Sequence, residues 1–169
     1  MDKKSFCEWV YPAAKECEKE SGISAIFTTA QAALESGWGK SAIGNNLFGI
    51  TIGSKWTGKK KLVLTTEYFP NPNARFKAGE SVVSITKVGS RYKYKVYRWF
   101  RDYDDLSDCL KDHDAILKKP CYSDAWSYRG NPEKYAEKLS DSIGAKYATD
   151  PNYAKTMKAM IKSVKPYCK

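Results

Sequence analysis

Thr28-Thr29-Ala30-Gln31-Ala32-Ala33-Leu34-Glu35-Ser36-Gly37-Trp38-Gly39 is the run from which the rest of the chain is best approached. With Ile26 and Phe27 just before it, Ala30, Ala33 and Leu34 recur at helical spacing, which predicts a helix with one buried face. Gly37 and Gly39 supply the backbone freedom to stop that helix and turn. Glu35 therefore closes it, at the end where the macrodipole is negative and cations are preferred. The dipole and burial beside Leu34 and Trp38 both disfavour the ionised carboxyl and raise its pKa. A carboxyl that keeps its proton near neutral pH is what a general acid requires. On these residues alone, a solvated glutamate in a last helical turn stays open as the alternative.

On the N-terminal side, Lys4 to about Glu20 reads as an amphipathic helix carrying Phe6, Trp9, Val10, Ala13 and Cys17 on one side. Pro12 lies inside that pattern and is expected to break or kink it into two shorter helices. Ser21-Gly22-Ile23-Ser24 is a turn, with Ser24 as N-cap of the Glu35 helix. On the C-terminal side, Lys40 to Asn46 is a turn-rich link into Leu47-Phe48-Gly49-Ile50. From Thr51 to Phe100 the texture becomes strand-like. Strands are expected over Leu62 to Phe69, Ser81 to Lys87 and Arg91 to Trp99, the last two joined by a Val88-Gly89-Ser90 hairpin. In the third, Arg91, Lys93 and Lys95 alternate with Tyr92, Tyr94 and Val96, giving a basic and an apolar face.

Helices resume at Asp104. Leu106, Cys109, Leu110, His113, Ile116 and Leu117 form one stripe that ends before Pro120. Asn131-Pro132 caps the next helix, which carries Tyr135, Ala136, Leu139 and Ile143 and stops at Gly144. Thr149-Asp150-Pro151 starts the last one, striped by Tyr153, Met157, Met160, Ile161 and Val164. The pattern amounts to an α+β fold, mainly α, in which a helical domain (1–50 and 101–169) carries an inserted β-hairpin lobe (51–100). The 169 residues make a single domain.

A hydrophobic content of 42% and a charged content of 28% are those of an ordinary globule. No apolar run reaches the ~20 residues of a membrane span. Charged residues through Glu18 leave no secretory h-region, so synthesis in the cytoplasm without a signal peptide is expected. Cys7, Cys17, Cys109, Cys121 and Cys168 lack zinc-ligand spacing, so neither a metal nor another cofactor is implied, and an odd count points to reduced thiols. His113 sits between two aspartates with no nucleophile motif nearby and reads as structural or exposed. The net charge of +10 favours polyanions, nucleic acid and cell wall alike.

Ala30 to Gly39, followed by Asn46-Leu47-Phe48-Gly49-Ile50, resembles glycoside hydrolase family 73. Further matches occur in the family's order at Thr65-Thr66-Glu67-Tyr68, Phe100-Arg101-Asp102-Tyr103 and Tyr147 to Ala154. Together they cover about Ser24 to Met160. The resemblance implies a lysozyme-like fold and a peptidoglycan-cleaving N-acetylglucosaminidase of flagellar or autolysin type. Glycosidic cleavage needs a proton for the leaving oxygen and negative charge against an oxocarbenium-like transition state. Glu35 is then the general acid, and Glu67 the second carboxylate, as base or stabiliser. Tyr122 corresponds in position to a family tyrosine that faces the acid. Trp38, Asn46, Phe48, Tyr68 and Tyr147 are candidate substrate-binding residues, because sugars stack on rings and their acetamides seek amides. Trp38 and Phe48 suit a core role equally well.

The implied partner is bacterial peptidoglycan, met by a monomer, with no nucleic acid and no membrane span. Without a signal peptide, the wall would be reached by phage-type lysis or by dedicated export. The competing readings are a lytic transglycosylase or muramidase on a related fold, and a non-catalytic basic module that binds carbohydrate or nucleic acid.

Overall fold

The computed structural model of the chain describes residues 1–141 and 152–169. The first helix, α1 (Lys3–Ser21), runs unbroken through Pro12, contrary to the expected division into two. Pro12 is exposed, so the Glu8 carbonyl that loses its partner is left to water. Meanwhile Phe6, Cys7, Val10, Ala14 and Cys17 hold the opposite side in the core. Asp2 caps the start by accepting from the Ser5 N–H at 2.9 Å, and left-handed Gly22 ends the helix.

The second helix, α2 (Ala25–Glu35), begins as expected at Ser24, whose side chain accepts from the Phe27 N–H. The single buried face predicted for it is corrected: every residue from Phe27 to Ala33 is buried. Small alanines let neighbouring helices approach from several sides, so α2 is a central helix rather than a half-solvated one. The remaining helices are α3 (Leu106–Leu117), α4 (Ser123–Trp126), α5 (Pro132–Asp141) and α6 (Tyr153–Val164), with 3-10 turns at Pro120–Tyr122 and Lys165–Tyr167. Asp105 caps α3 by accepting from the Asp108 N–H, and Asn131 caps α5 by accepting from the Lys134 N–H. The expected stop at Gly144 and start at Thr149-Asp150-Pro151 lie outside the described residues. Around α2 pack α1, α5 and α6, closing a core that includes Phe27, Leu110, Tyr135, Leu139 and Met157.

These helices form one compact unit, Met1–Phe48 with Tyr103–Lys169; Gly49–Asp102 forms the other. In the second unit, β1 (Lys60–Phe69), β2 (Ser81–Val88) and β3 (Arg91–Arg101) make an antiparallel sheet in the order β1-β3-β2. Glu67 pairs with Tyr94 and Leu64 with Tyr97, while a bulge at Val82/Ser84 shifts the register of β2. One face carries the unit's core. Tyr94 and Val96 are buried there, and the Tyr94 ring meets Phe69 and Phe76 at 5.1 and 5.7 Å. The Tyr94 hydroxyl donates to the Asn71 carbonyl and accepts from the Ala74 N–H, tying down the loop after β1. All five cysteines are free, and burial pushes Cys109 and Cys168 up to about 12.

Candidate active site

Glu35 is the last residue of α2, and the chain leaves the helix through a turn built by its own motif. Gly37, Trp38 and Gly39 all have positive φ, at 56°, 60° and 79°. Trp38 is the one non-glycine residue in that conformation among the described residues. Such a backbone persists only where surrounding contacts over-determine it. Here the Trp38 N–H donates to the Ala33 carbonyl at 2.8 Å, and its ring meets Phe6 edge-on at 5.6 Å. The buried Ser36 hydroxyl donates to the Ala32 carbonyl at 2.6 Å and accepts from the Gly39 N–H at 2.9 Å. The turn therefore fixes where the Glu35 side chain leaves the helix.

As a residue Glu35 is open to solvent, yet protein surrounds its carboxyl closely enough for dehydration to raise the pKa above the ordinary 4.5. Dehydration disfavours the charged form, and it is the cause that acts here. One helical turn earlier, fully buried Gln31 donates through Nε2 to the Tyr153 hydroxyl at 2.9 Å, joining α2 to α6. Neither Gln31 nor Ser36 was singled out from sequence. The available signal was their place, Gln31 one helical turn before Glu35 and Ser36 directly after it.

The other candidates of the helical unit take separate places. Asn46 is 1% exposed, and its backbone pairs with Ile43 in both directions. Phe48 lies flat on the His113 ring, with centroids 3.8 Å apart and planes 11° from parallel. Burial holds the His113 pKa below 6.5, opposed by Asp114, so the histidine packs as a neutral ring. Tyr122 ends the Pro120–Tyr122 turn half-buried against the core, where burial raises its pKa first and Cys121 second. Tyr147 lies outside the described residues.

In the sheet unit, Arg98 donates through Nη1 to Glu67 Oε1 at 3.3 Å and places Nε 3.7 Å from Glu80 Oε1. Glu80 is anchored in turn, accepting from the Trp99 N–H at 3.0 Å and the Lys77 N–H at 2.9 Å. One oxygen of Glu67 is thus fixed by a positioned guanidinium, and the other has no hydrogen-bond partner among the described residues. Arg98 and Glu80 were missed from sequence: β3 pairs Arg98 with Val63, on the same face of β1 as Glu67, and only that sheet pairing lets the guanidinium reach the carboxylate. Tyr68 is separated from Glu67 by the pleat: it is 51% exposed on the opposite face of the sheet. The two halves of that motif therefore serve different surfaces.

Among the described residues no group of three His, Cys, Asp or Glu side chains could hold a metal ion, and no helix is long and apolar enough to cross a membrane.

Residues 11–166 match the glucosaminidase family model, described as mannosyl-glycoprotein endo-beta-N-acetylglucosaminidase. A relative from Pseudomonas aeruginosa, peptidoglycan hydrolase FlgJ, is 32% identical over 170 residues, which is 96% of this chain and 37% of that protein. The FlgJ of Escherichia coli K12 is also 32% identical, over 97% of this chain and 47% of its own length. The chain thus spans half or less of these curated relatives. Among solved structures, the glycoside hydrolase domain of Salmonella typhimurium FlgJ superposes with a TM-score of 0.71 at 28% identity, covering 98% of this chain and 90% of that one. The lysozyme-like α+β expectation agrees with that likeness. With the family model spanning nearly the whole chain, the protein belongs to the glucosaminidases of glycoside hydrolase family 73.

Proposed function

We propose that this glycoside hydrolase domain cuts the β-1,4 bond between N-acetylglucosamine and N-acetylmuramic acid in bacterial peptidoglycan. The observation that carries the reading is Glu35 at the end of α2, set by the Gly37–Gly39 turn and with its carboxyl pKa raised by burial, in a chain of this family. Glu35 donates its proton to the leaving glycosidic oxygen, which its raised pKa allows at a pH where ordinary glutamates are ionised. Glu67, steadied by Arg98, keeps one oxygen to take a proton from water or to offset charge at the anomeric carbon. Tyr122 presents a half-buried hydroxyl to the sugar's acetamide. The protein acts on the wall as a monomer.

Digestion of purified sacculi, followed by mass spectrometry, tests this reading. Reducing N-acetylglucosamine ends are expected. Anhydro-muramyl ends would make the enzyme a lytic transglycosylase, and reducing muramic acid ends a muramidase. Glu35→Gln is expected to cut the rate by about 10²–10⁴, the usual worth of a general acid, with an unchanged circular dichroism spectrum. A fully active variant removes Glu35 from the chemistry. Glu67→Gln is expected to lower the rate strongly without abolishing it.

A further inference from the structure

The sheet of the second unit has a face that the proposed chemistry does not use. Strand alternation puts Glu67, Tyr94, Val96 and Arg98 on one side. On the other, Leu64 pairs with Tyr97, Thr66 with Lys95, and Tyr68 with Lys93. Beyond them on β2, Ser84 lies beside Lys95, Thr86 beside Lys93, and Val88 beside Arg91. Leu64, Tyr68 and Tyr97 on this second face are 44%, 51% and 39% exposed, an unusual density of open apolar surface. Arg91, Lys93 and Lys95 are interleaved with them and form no ion pair among the described residues. No aspartate or glutamate falls on this face in any of the three strands.

Exposed rings set among unpaired cations, with carboxylates excluded, suit a polyanion that also offers flat surfaces to stack. Peptidoglycan answers to both halves of that description, since its sugar rings present apolar faces and its stem peptides carry carboxylates. We infer that the face bearing Leu64, Tyr68, Lys93, Lys95 and Tyr97 is a second, non-catalytic binding surface for peptidoglycan strands, holding the enzyme on insoluble wall while the opposite face carries Glu67. This inference rests on peptidoglycan being the substrate. It assigns Tyr68 to retention on the wall rather than to the reacting sugar.

The test uses the triple variant Lys93→Gln/Lys95→Gln/Tyr97→Ala in the full chain, with two readouts. The first is co-sedimentation with purified sacculi, made in a Glu35→Gln background so that the wall is not digested. The second is the initial rate on short soluble glycan fragments, made with Glu35 intact. Binding to sacculi is expected to weaken at least about tenfold, in keeping with the loss of one stacking ring and two charges, and to lose part of its salt dependence. The rate on soluble fragments is expected to be unchanged, which also shows that the lobe carrying Glu67 is folded. Tyr97→Phe, which keeps the ring, is expected to bind as wild type does.

Unaltered sedimentation of the triple variant overturns the inference. So does an equal loss in both readouts, because the effect then passes through the Glu67 face. Tighter retention of the wild type on single-stranded DNA than on sacculi overturns it in favour of nucleic acid. The underlying reading fails separately, when wild-type protein releases no fragments from sacculi to which it binds.

Discussion

In the proposed mechanism Glu35 couples function to stability through one proton. Burial raises its folded pKa above the unfolded value near 4.5, so the folded chain holds that proton more tightly. The associated stability is complete below the unfolded pKa and is lost as pH rises through the folded one. Glu35→Gln is therefore expected to melt above the wild type at pH 7, with the difference closing towards pH 4. Equal melting temperatures at both pH values would deny the dehydration. His113 has the opposite sign, because burial lowers its folded pKa below 6.5. Its contribution is complete above pH 6.5 and is lost as pH falls through the folded value. His113→Phe is expected to flatten the stability loss between pH 7 and pH 5, read by urea titration at each pH. Glu35 was recognisable in the sequence because a helix stripe, a glycine stop and a carboxyl fall within a dozen residues. Arg98 beside Glu67 was not, since thirty residues of chain part them and only the sheet pairing joins them.

At the scale of elements, α1 shows packing overriding a local rule. A proline within a helix costs about 3 kcal/mol relative to alanine, and restricting the unfolded chain returns up to about 1 of that. Pro12→Ala is accordingly expected to stabilise the fold by about 2 kcal/mol, measured by chemical denaturation. No gain would mean that the Glu8 carbonyl already has a full substitute partner. The strands fell where turn residues and alternation put them, and β3 has the basic and apolar faces its sequence announces. In β2, an edge strand of the sheet, all eight residues are exposed, and a bulge at Val82/Ser84 shifts its register. The pleat also separates Glu67 from Tyr68. Period two along a strand dictates that separation for any two adjacent residues.

Over the whole molecule, a charge of +10 acts at a distance that salt can shorten. The Debye length falls from about 30 Å at 0.01 M to about 10 Å at 0.1 M ionic strength. Hydrolysis of sacculi is expected to slow as salt rises across that range, while hydrolysis of short neutral fragments stays level. Release assays on both substrates at matched pH provide the check. Parallel salt curves would show that the charge serves folding or solubility rather than attachment to wall.

The sequence by itself determined the order and limits of most elements, the caps at Ser24 and Asn131, and the placing of Glu35 at a helix end. Each depends on residues within a turn or two of one another, so local chemistry suffices. The tertiary structure alone decided that α2 is surrounded, that Pro12 is carried through a continuous helix, and that Arg98 reaches Glu67. These follow from the contacts of segments distant along the chain, and burial is a property of that packing which no short stretch of sequence contains.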